Sequence, residues 1–189
     1  MAASGPINKL SDEQLSALLA DEPAQSDTVK IKTLIVEDDA TTQLIYEKGL
    51  FNDVFDKKMT VSGKEALVIY NEWHPDIIIL DIQLREMNGD QVLKEIRQTL
   101  GDQKTTIVMA TSKSGRNDVQ SCIDLGIEGY LVKPFPMREI GSKILTYYAK
   151  KEPERAKRAE ALNQETLNQS PMRLLVDKDK ATTDDTQVG

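Results

Sequence analysis

Pro75-Asp76-Ile77-Ile78-Ile79-Leu80-Asp81 is the stretch that decides the fold, because four apolar residues in a row, three of them β-branched, stand between two aspartates. A short apolar run of this kind is typical of a strand that is buried on both faces in the middle of a parallel sheet. Asp81 then lies at the carboxyl end of the strand, where open α/β sheets bind their ligands. A single acid at such a place is more often a helix cap or a solvated loop residue, so the rest of the chain must decide its role.

Further apolar and amphipathic stretches alternate along the chain. The predicted strands cover residues 32–36, 58–61, 77–80, 106–110 and 129–132, and the predicted helices cover residues 41–51, 63–73, 89–100, 119–125 and 136–149. Short strands separated by helix-length crossovers imply a parallel sheet with right-handed connections and helices on both faces. The sequence therefore predicts an α/β fold with a doubly wound five-stranded parallel sheet.

The composition limits the classes of partner. The 189 residues include 24 basic and 31 acidic ones, which gives a net charge of −7, and no segment is basic, so we expect no nucleic-acid partner. No apolar run approaches the ~20 residues that a membrane helix needs, and the start lacks a secretory signal, so we expect no membrane partner. The single cysteine, Cys122, favours a cytoplasmic location and a place in the core.

The sequence divides into three parts. Residues 1–30 are predicted to be an N-terminal extension with one short helix and a linker, residues 31–150 the main domain, and residues 151–189 a polar extension that is partly helical and then disordered. The short helix, residues 12–20, begins with a capping box and carries three leucines on one face, so we expect it to bury against this domain or a partner. These leucines are Leu15, Leu18 and Leu19. The apolar run at residues 172–176 supports the same expectation more weakly.

Polar residues follow four of the predicted strands at their carboxyl ends. They are Glu37 with Asp38, then Asp81, Thr111 and Lys133. Three carboxylates in one crevice repel each other, by about 4 kcal/mol per pair at 4 Å and an effective dielectric of 20. Lys133 supplies one compensating charge. A divalent cation with oxygen ligands would supply the remainder, and Mg²⁺ prefers one or two carboxylates with waters and a phosphate.

These segments together resemble the CheY-type receiver domain of bacterial two-component response regulators, over about residues 32–149. The resemblance implies a flavodoxin-like sheet with strand order 2-1-3-4-5. The matching segments are Leu34-Ile-Val-Glu-Asp-Asp39, Asp76-Ile-Ile-Ile-Leu-Asp-Ile-Gln-Leu84 with Met87-Asn-Gly89, Met109-Ala-Thr-Ser112 and Gly129-Tyr-Leu-Val-Lys-Pro-Phe135.

The resemblance also implies a role for each site residue. Asp81 would be the phosphoacceptor, which forms an aspartyl phosphate by attack on a donor phosphorus. Glu37 and Asp38 would hold Mg²⁺ together with a carboxylate oxygen of Asp81 and the backbone carbonyl of Gln83. Lys133 would pair with the phosphoryl oxygens as a point charge.

Two further residues would form the switch. The resemblance implies that Thr111 hydrogen-bonds a phosphoryl oxygen and that Tyr130 turns inward when Thr111 moves. Phosphorylation would then remodel the face made by the fourth helix, fifth strand and fifth helix, where dimers or targets dock.

The sequence departs from the family pattern at two places. Arg85 stands four residues after the phosphoacceptor, where the family usually has proline, so the loop loses a fixed φ angle and gains a charge. Glu37 is a tolerated variant of the first acidic residue. Gln83 and Lys113 occupy positions where such domains vary, next to the attacking water, so the lifetime of the phosphoryl group is left open.

Three other functions compete with this one. A phosphohydrolase of the haloacid-dehalogenase type needs a second aspartate two residues after its nucleophile, and that position is Gln83. A flavin or nucleotide carrier needs a glycine-rich phosphate loop after the first strand, where this chain has three acids. A phosphorylation-independent interaction scaffold on a receiver fold is the remaining alternative.

The sequence predicts a signalling domain that works through protein contacts and is not an enzyme beyond its own phosphoryl transfer and dephosphorylation. The 39 residues after 150 show no helix-turn-helix pattern, which predicts no DNA-binding output domain. His74, the only histidine, precedes a proline and suits phosphorelay poorly. The expected partners are therefore a sensor histidine kinase or phosphotransfer protein, a downstream protein target and a second copy of the chain.

Overall fold

The structure, a computed structural model, describes residues 30–112 and 116–171, and for residues 116–118 it describes the backbone alone. The predicted N-terminal helix at 12–20, the apolar run at 172–176 and Lys113 lie outside the described residues.

Five parallel strands form one sheet in the order β2-β1-β3-β4-β5, which confirms the predicted fold class and strand order. The strands are β1 (Ile31–Val36), β2 (Phe55–Thr60), β3 (Ile77–Leu80), β4 (Thr106–Thr111) and β5 (Gly129–Val132). The second strand begins three residues before the predicted start, because its register with β1 pairs Phe55 with Ile31. It is an edge strand of the sheet, and its Asp56 and Lys58 side chains are exposed. Polar residues of this kind protect an edge from pairing with another chain.

Six helices are described. They are α1 (Ala40–Gly49), α2 (Gly63–Trp73), α3 (Gly89–Lys94, continued by a π-helical turn at Glu95–Thr99), α4 (Arg116–Asp124), α5 (Ile140–Tyr148, preceded by a 3₁₀ turn at Met137–Glu139) and α6 (Pro153–Gln169). None of the helices in the described part of the chain is both long and apolar enough to cross a bilayer.

The helices cover both faces of the sheet, and each face has its own core. Side chains of α1, α5 and α6 pack on one face and those of α2, α3 and α4 on the other. The central strand β3 alternates between them, because Ile77 and Ile79 point into the first core and Ile78 and Leu80 into the second. All four are buried, as the opening stretch of sequence predicted.

The polar helix α6 packs against α5 through small residues and side-chain hydrogen bonds, and one ion pair anchors its start to the sheet. Ala156 is buried in the first core, and Gly141 of α5 lies so close to Asn163 that a Cβ atom there would be 2.6 Å from the Asn163 Oδ1 atom. Arg155 anchors the start of α6 by pairing with Asp76 at 2.8 Å, at the amino end of β3. A helix with few large apolar residues thus becomes part of the fold because it approaches α5 closely at Gly141.

A buried arginine organises the amino-terminal edge of the sheet. The Arg97 guanidinium donates to the backbone carbonyls of Gly126, Asp102 and Thr105 at 2.7–2.9 Å and to the Glu128 carboxylate at 3.0 Å. Its side chain is 1% exposed. The planar guanidinium donates to all of these acceptors at the same time, and these hydrogen bonds offset the free-energy cost of removing the charge from water.

Candidate phosphoryl-transfer site

The backbone hydrogen bonds between neighbouring strands continue one residue past the ends of β1 and β3, and they include the two acidic residues Glu37 and Asp81. The Glu37 backbone N–H donates to the Thr60 carbonyl, and the Asp81 N–H donates to the Val36 carbonyl, both at 3.0 Å. Because β1 and β3 are neighbours in register, Glu37 and Asp81 leave the sheet side by side. Their positions are therefore fixed by backbone hydrogen bonds rather than by a free loop.

Three carboxylates meet at this edge. Glu37, Asp38 and Asp81 can each offer an oxygen atom such that the three oxygens lie within 4.8 Å of one another. Glu37 is 1% and Asp81 is 7% exposed, and Asp38 is half-buried. Oxygen ligands at this spacing, partly withdrawn from water, fit a small divalent cation such as Mg²⁺.

Lys133 lies at the end of β5 and reaches across to the acids. Its Nζ donates to Asp81 Oδ2 at 2.6 Å and also to a carboxylate oxygen of Glu37. Burial raises the pKa of Glu37 above its ordinary value, although the hydrogen bond and charge of Lys133 oppose the rise. Three acids and one lysine leave an excess of negative charge that a bound cation would offset.

Two side chains after β1 support the acidic pair. Gln43 of α1 donates through Nε2 to the Glu37 carbonyl at 2.6 Å. Asp39 caps α1 by accepting from the backbone and the hydroxyl of Thr42, both at 2.8 Å, and the hydroxyl hydrogen bond lowers the pKa of Asp39. Sequence reasoning missed both roles. An aspartate just before an amphipathic stretch is a detectable cap signal, whereas nothing local indicates Gln43.

The loop after β3 is packed directly against the candidate phosphoacceptor. The Gln83 backbone N–H donates to Asp81 Oδ1 at 3.0 Å. A Cβ atom at Gly89 would lie 2.0 Å from the Asp81 carbonyl oxygen, so only glycine fits there. The side chains of Asn88 and Gln91 then form a capping box at the start of α3. These contacts hold the Asp81 carboxylate toward the cleft.

Arg85 occupies the mouth of the site. Its Nε lies 3.6 Å from Asp38 Oδ2, and its side chain is 82% exposed. One cleft of about 400 Å³ contains the three acids and Lys133. A second cleft of about 330 Å³ is lined by Arg85 and shares Asp38 and Gln83 with the first.

The two predicted switch residues lie on the neighbouring strands β4 and β5 and differ in burial. Thr111 is fully buried at the end of β4, and its carbonyl accepts from the Lys133 backbone N–H at 3.0 Å. Tyr130 is half-buried on β5 and lines a separate groove of about 350 Å³ with Val132 and Tyr147. The strand register places Tyr130 opposite Met109, two residues before Thr111.

The comparisons with known proteins agree with this geometry. A sequence model described as the response regulator receiver domain matches residues 33–145. The DNA-binding response regulator MtrA of Mycobacterium tuberculosis is 32% identical over 118 residues, which are 62% of this chain and 50% of MtrA. The probable transcriptional regulator ycf27 of Porphyridium aerugineum is 31% identical over 115 residues, which are 61% of this chain and 47% of that protein.

A solved structure shows the same fold. The signal receiver domain of a putative Luxo repressor protein from Vibrio parahaemolyticus aligns with a TM-score of 0.61 at 24% identity, over 67% of this chain and 95% of that one. The curated relatives, by contrast, are matched over about half of their length.

Proposed function

The chain belongs to the response regulator receiver domain family, and from this premise we propose that it accepts a phosphoryl group on Asp81 in a Mg²⁺-dependent reaction. One observation carries the proposal. Lys133 contacts Asp81 and Glu37 at the strand ends, while Asp38 completes a group of three carboxylates that can hold a cation.

The residues divide the reaction between them. One carboxylate oxygen of Asp81 attacks the phosphorus of the donor, the bond from phosphorus to the donor nitrogen or oxygen breaks, and the donor leaves with the electron pair. Glu37, Asp38, Asp81 and the Gln83 carbonyl would hold Mg²⁺, which supplies positive charge for the transferring group. The Lys133 ammonium, already 2.6 Å from Asp81, would pair with a phosphoryl oxygen.

Signal output would follow from the product. The proposal assigns the phosphoryl contact to the Thr111 hydroxyl and the resulting rearrangement to Tyr130, so that the face of α4, β5 and α5 binds a downstream protein or a second copy of the chain. The donor would be a histidine kinase or phosphotransfer protein. The chain would thus be the acceptor of its own phosphoryl transfer and would turn over no external substrate.

The curated relatives bear on the expectation of no nucleic-acid partner. MtrA is a DNA-binding regulator, and the chain spans about half of its length. This similarity weighs against the expectation of no nucleic-acid partner that the acidic composition gave. That expectation, and the absence of a DNA-binding output domain, stay predictions.

Intact mass spectrometry tests the proposal. The full chain, incubated with Mg²⁺ and acetyl phosphate, should gain one phosphoryl group, and Asp81→Asn should gain none. Asp90→Asn is the matched control, because Asp90 pairs with Lys94 on the outside of α3 and should leave the yield unchanged. An unchanged yield in Asp81→Asn would refute the assignment of the phosphoacceptor.

A further inference from the structure

Arg85 is a cation next to a candidate metal ligand. Among the described residues, two side chains form ion pairs with the three carboxylates, namely Lys133 and Arg85. Lys133 is 11% exposed and touches two of the acids, whereas Arg85 is 82% exposed and approaches Asp38 alone. An exposed pair at 3.6 Å is weak, so the guanidinium is free to exchange partners.

The backbone of Arg85 is held in place, whereas its side chain is exposed. Arg85 forms a parallel β-bridge with Ser62, and the next residue, Glu86, has a left-handed φ of 65°. The Glu86 carboxylate turns away from the site toward Lys64, at 3.9 Å. The guanidinium is therefore tethered at the opening of the acidic cleft on a flexible stem.

The positive charge of Arg85 has opposite effects on the binding of two ligands, a divalent cation and an anionic phosphoryl donor. It repels a divalent cation that binds Asp38, and it attracts an anionic phosphoryl donor that enters the same opening. Asp38 and Gln83 line both the cleft that contains Asp81 and the cleft that contains Arg85, so the guanidinium lies beside the space that a phosphoryl donor would enter. A planar guanidinium suits phosphoryl oxygens because it can donate two parallel hydrogen bonds.

We propose that Arg85 is a specificity residue that weakens Mg²⁺ binding at Asp38 and strengthens the binding of small anionic phosphodonors. The proposal rests on the proposed function of the site. It also gives a physical role to the residue that stands where the family usually has proline.

Calorimetric titration with Mg²⁺ alone tests the first half. Arg85→Ala should bind Mg²⁺ about two- to fivefold more tightly than the parent chain, as expected for removing an exposed like charge. Lys64→Ala removes the same charge from a neighbouring position that pairs with Glu86, and its affinity should change less than about 1.5-fold. Arg85→Lys keeps the charge and should retain the parent affinity.

The second half is tested by the acetyl phosphate dependence of the initial phosphorylation rate, at saturating Mg²⁺ for each variant. The half-saturating donor concentration should rise about two- to fivefold in Arg85→Ala, and the difference from the parent should shrink at high salt. Lys64→Ala should match the parent. Circular dichroism of Arg85→Ala and Lys64→Ala checks that the fold is kept.

The outcomes separate this inference from the function on which it rests. A parent chain that neither binds Mg²⁺ nor gains a phosphoryl group refutes the proposed function. If the parent chain does both, the role of Arg85 is refuted, and the proposed function is not, by either of two results. In the first, Arg85→Ala does not change one of the two measured quantities. In the second, Lys64→Ala changes them as much as Arg85→Ala does.

Discussion

Charged side chains cluster at both ends of the parallel strands, at the carboxyl ends (the carboxyl edge of the sheet) and at the amino ends (the amino edge). The balance of charge differs between the two clusters. At the carboxyl edge, three acids face Lys133 and the exposed Arg85, so negative charge is in excess. At the amino edge, the Glu128 carboxylate lies between Arg97 at 3.0 Å and Lys151 at 2.9 Å and also accepts from the Ile107 N–H. Two cations therefore flank one negative charge, and both carboxylate oxygens have partners.

This contrast separates charges that hold the fold from charges that do chemistry. A buried ion whose hydrogen bonds are complete gains little from any further ligand, and removing its partner is costly. A group of like charges gains free energy when a cation binds, because the repulsion is relieved. The amino edge therefore stabilises the folded chain, and the carboxyl edge is poised to bind.

The largest expected effect is at the amino edge. Arg97→Met should lower the free energy of unfolding by about 3–5 kcal/mol, because it leaves the buried Thr105 carbonyl and the half-buried Glu128 carboxylate with fewer partners. Arg158→Met, at an exposed position on α6, should change it by less than about 0.5 kcal/mol. Urea titration of both variants measures the difference, and a loss below about 1 kcal/mol in Arg97→Met would contradict the structural role.

The carboxyl edge should respond in the opposite direction. Asp38→Asn should raise the free energy of unfolding without Mg²⁺ by about 1–2 kcal/mol, because it removes one of three repelling charges. The same variant should lose most of the stabilisation that added Mg²⁺ gives the parent chain. Asp53→Asn, in an exposed loop, is the control for the loss of one charge. Equal Mg²⁺ stabilisation in Asp38→Asn and the parent would exclude Asp38 as a ligand.

Two tyrosines extend the comparison to neutral groups. The Tyr70 hydroxyl donates to Asp102 at 2.8 Å beside the amino edge, and the hydroxyl of Tyr46 is buried with no hydrogen-bond partner among the described residues. Burial, with the nearby Glu37 and Asp81, raises the pKa of Tyr46. Tyr70→Phe should therefore cost about 1 kcal/mol, and Tyr46→Phe should cost nothing or add stability. Thermal unfolding of both variants tests this, and equal losses would contradict it.

The smallest effect is the dependence of stability on pH. Partial burial would raise the pKa of Asp102, but hydrogen bonds from Thr105, the Lys104 N–H and Tyr70 outweigh it and lower the pKa to about 2. The folded value lies below the unfolded value of 3.8, so Asp102 stabilises the fold above pH 3.8, and this contribution is lost as the pH falls toward 2. Because the group is only partly buried and solvent screens its interactions, we expect about 0.5–1 kcal/mol.

The carboxyl edge should contribute with the other sign. The folded pKa of Glu37 is raised above 4.5, so protonation of Glu37 favours the folded chain as the pH falls through that raised value. Measuring the free energy of unfolding of Asp102→Asn and Glu37→Gln between pH 2 and 7 separates the contributions of the two carboxyl groups. On the acid side, the slope of the free energy of unfolding against pH should become smaller in Asp102→Asn and larger in Glu37→Gln. Identical pH dependence in the two variants and the parent chain would refute both assignments.

The alternation of short apolar runs with amphipathic stretches was enough to predict the sheet, its parallel strands and the strand ends at which Glu37, Asp81 and Lys133 lie. This information is local, because burial on both faces requires an unbroken apolar run such as Ile77–Leu80. The order of the strands came from the family resemblance, and the structure confirms it.

Other features had no local signal, because they depend on where distant elements are placed. Arg97 and Glu128 are 31 residues apart in sequence, and an arginine in an amphipathic stretch gives no sign that it will be buried at the amino ends of β4 and β5. The packing of α6 likewise requires that Gly141 and Asn163 meet, which the polar composition of residues 151–169 does not show. Periodicity reports which face of an element is apolar, whereas the partner of each charge is set by the packing of the whole domain.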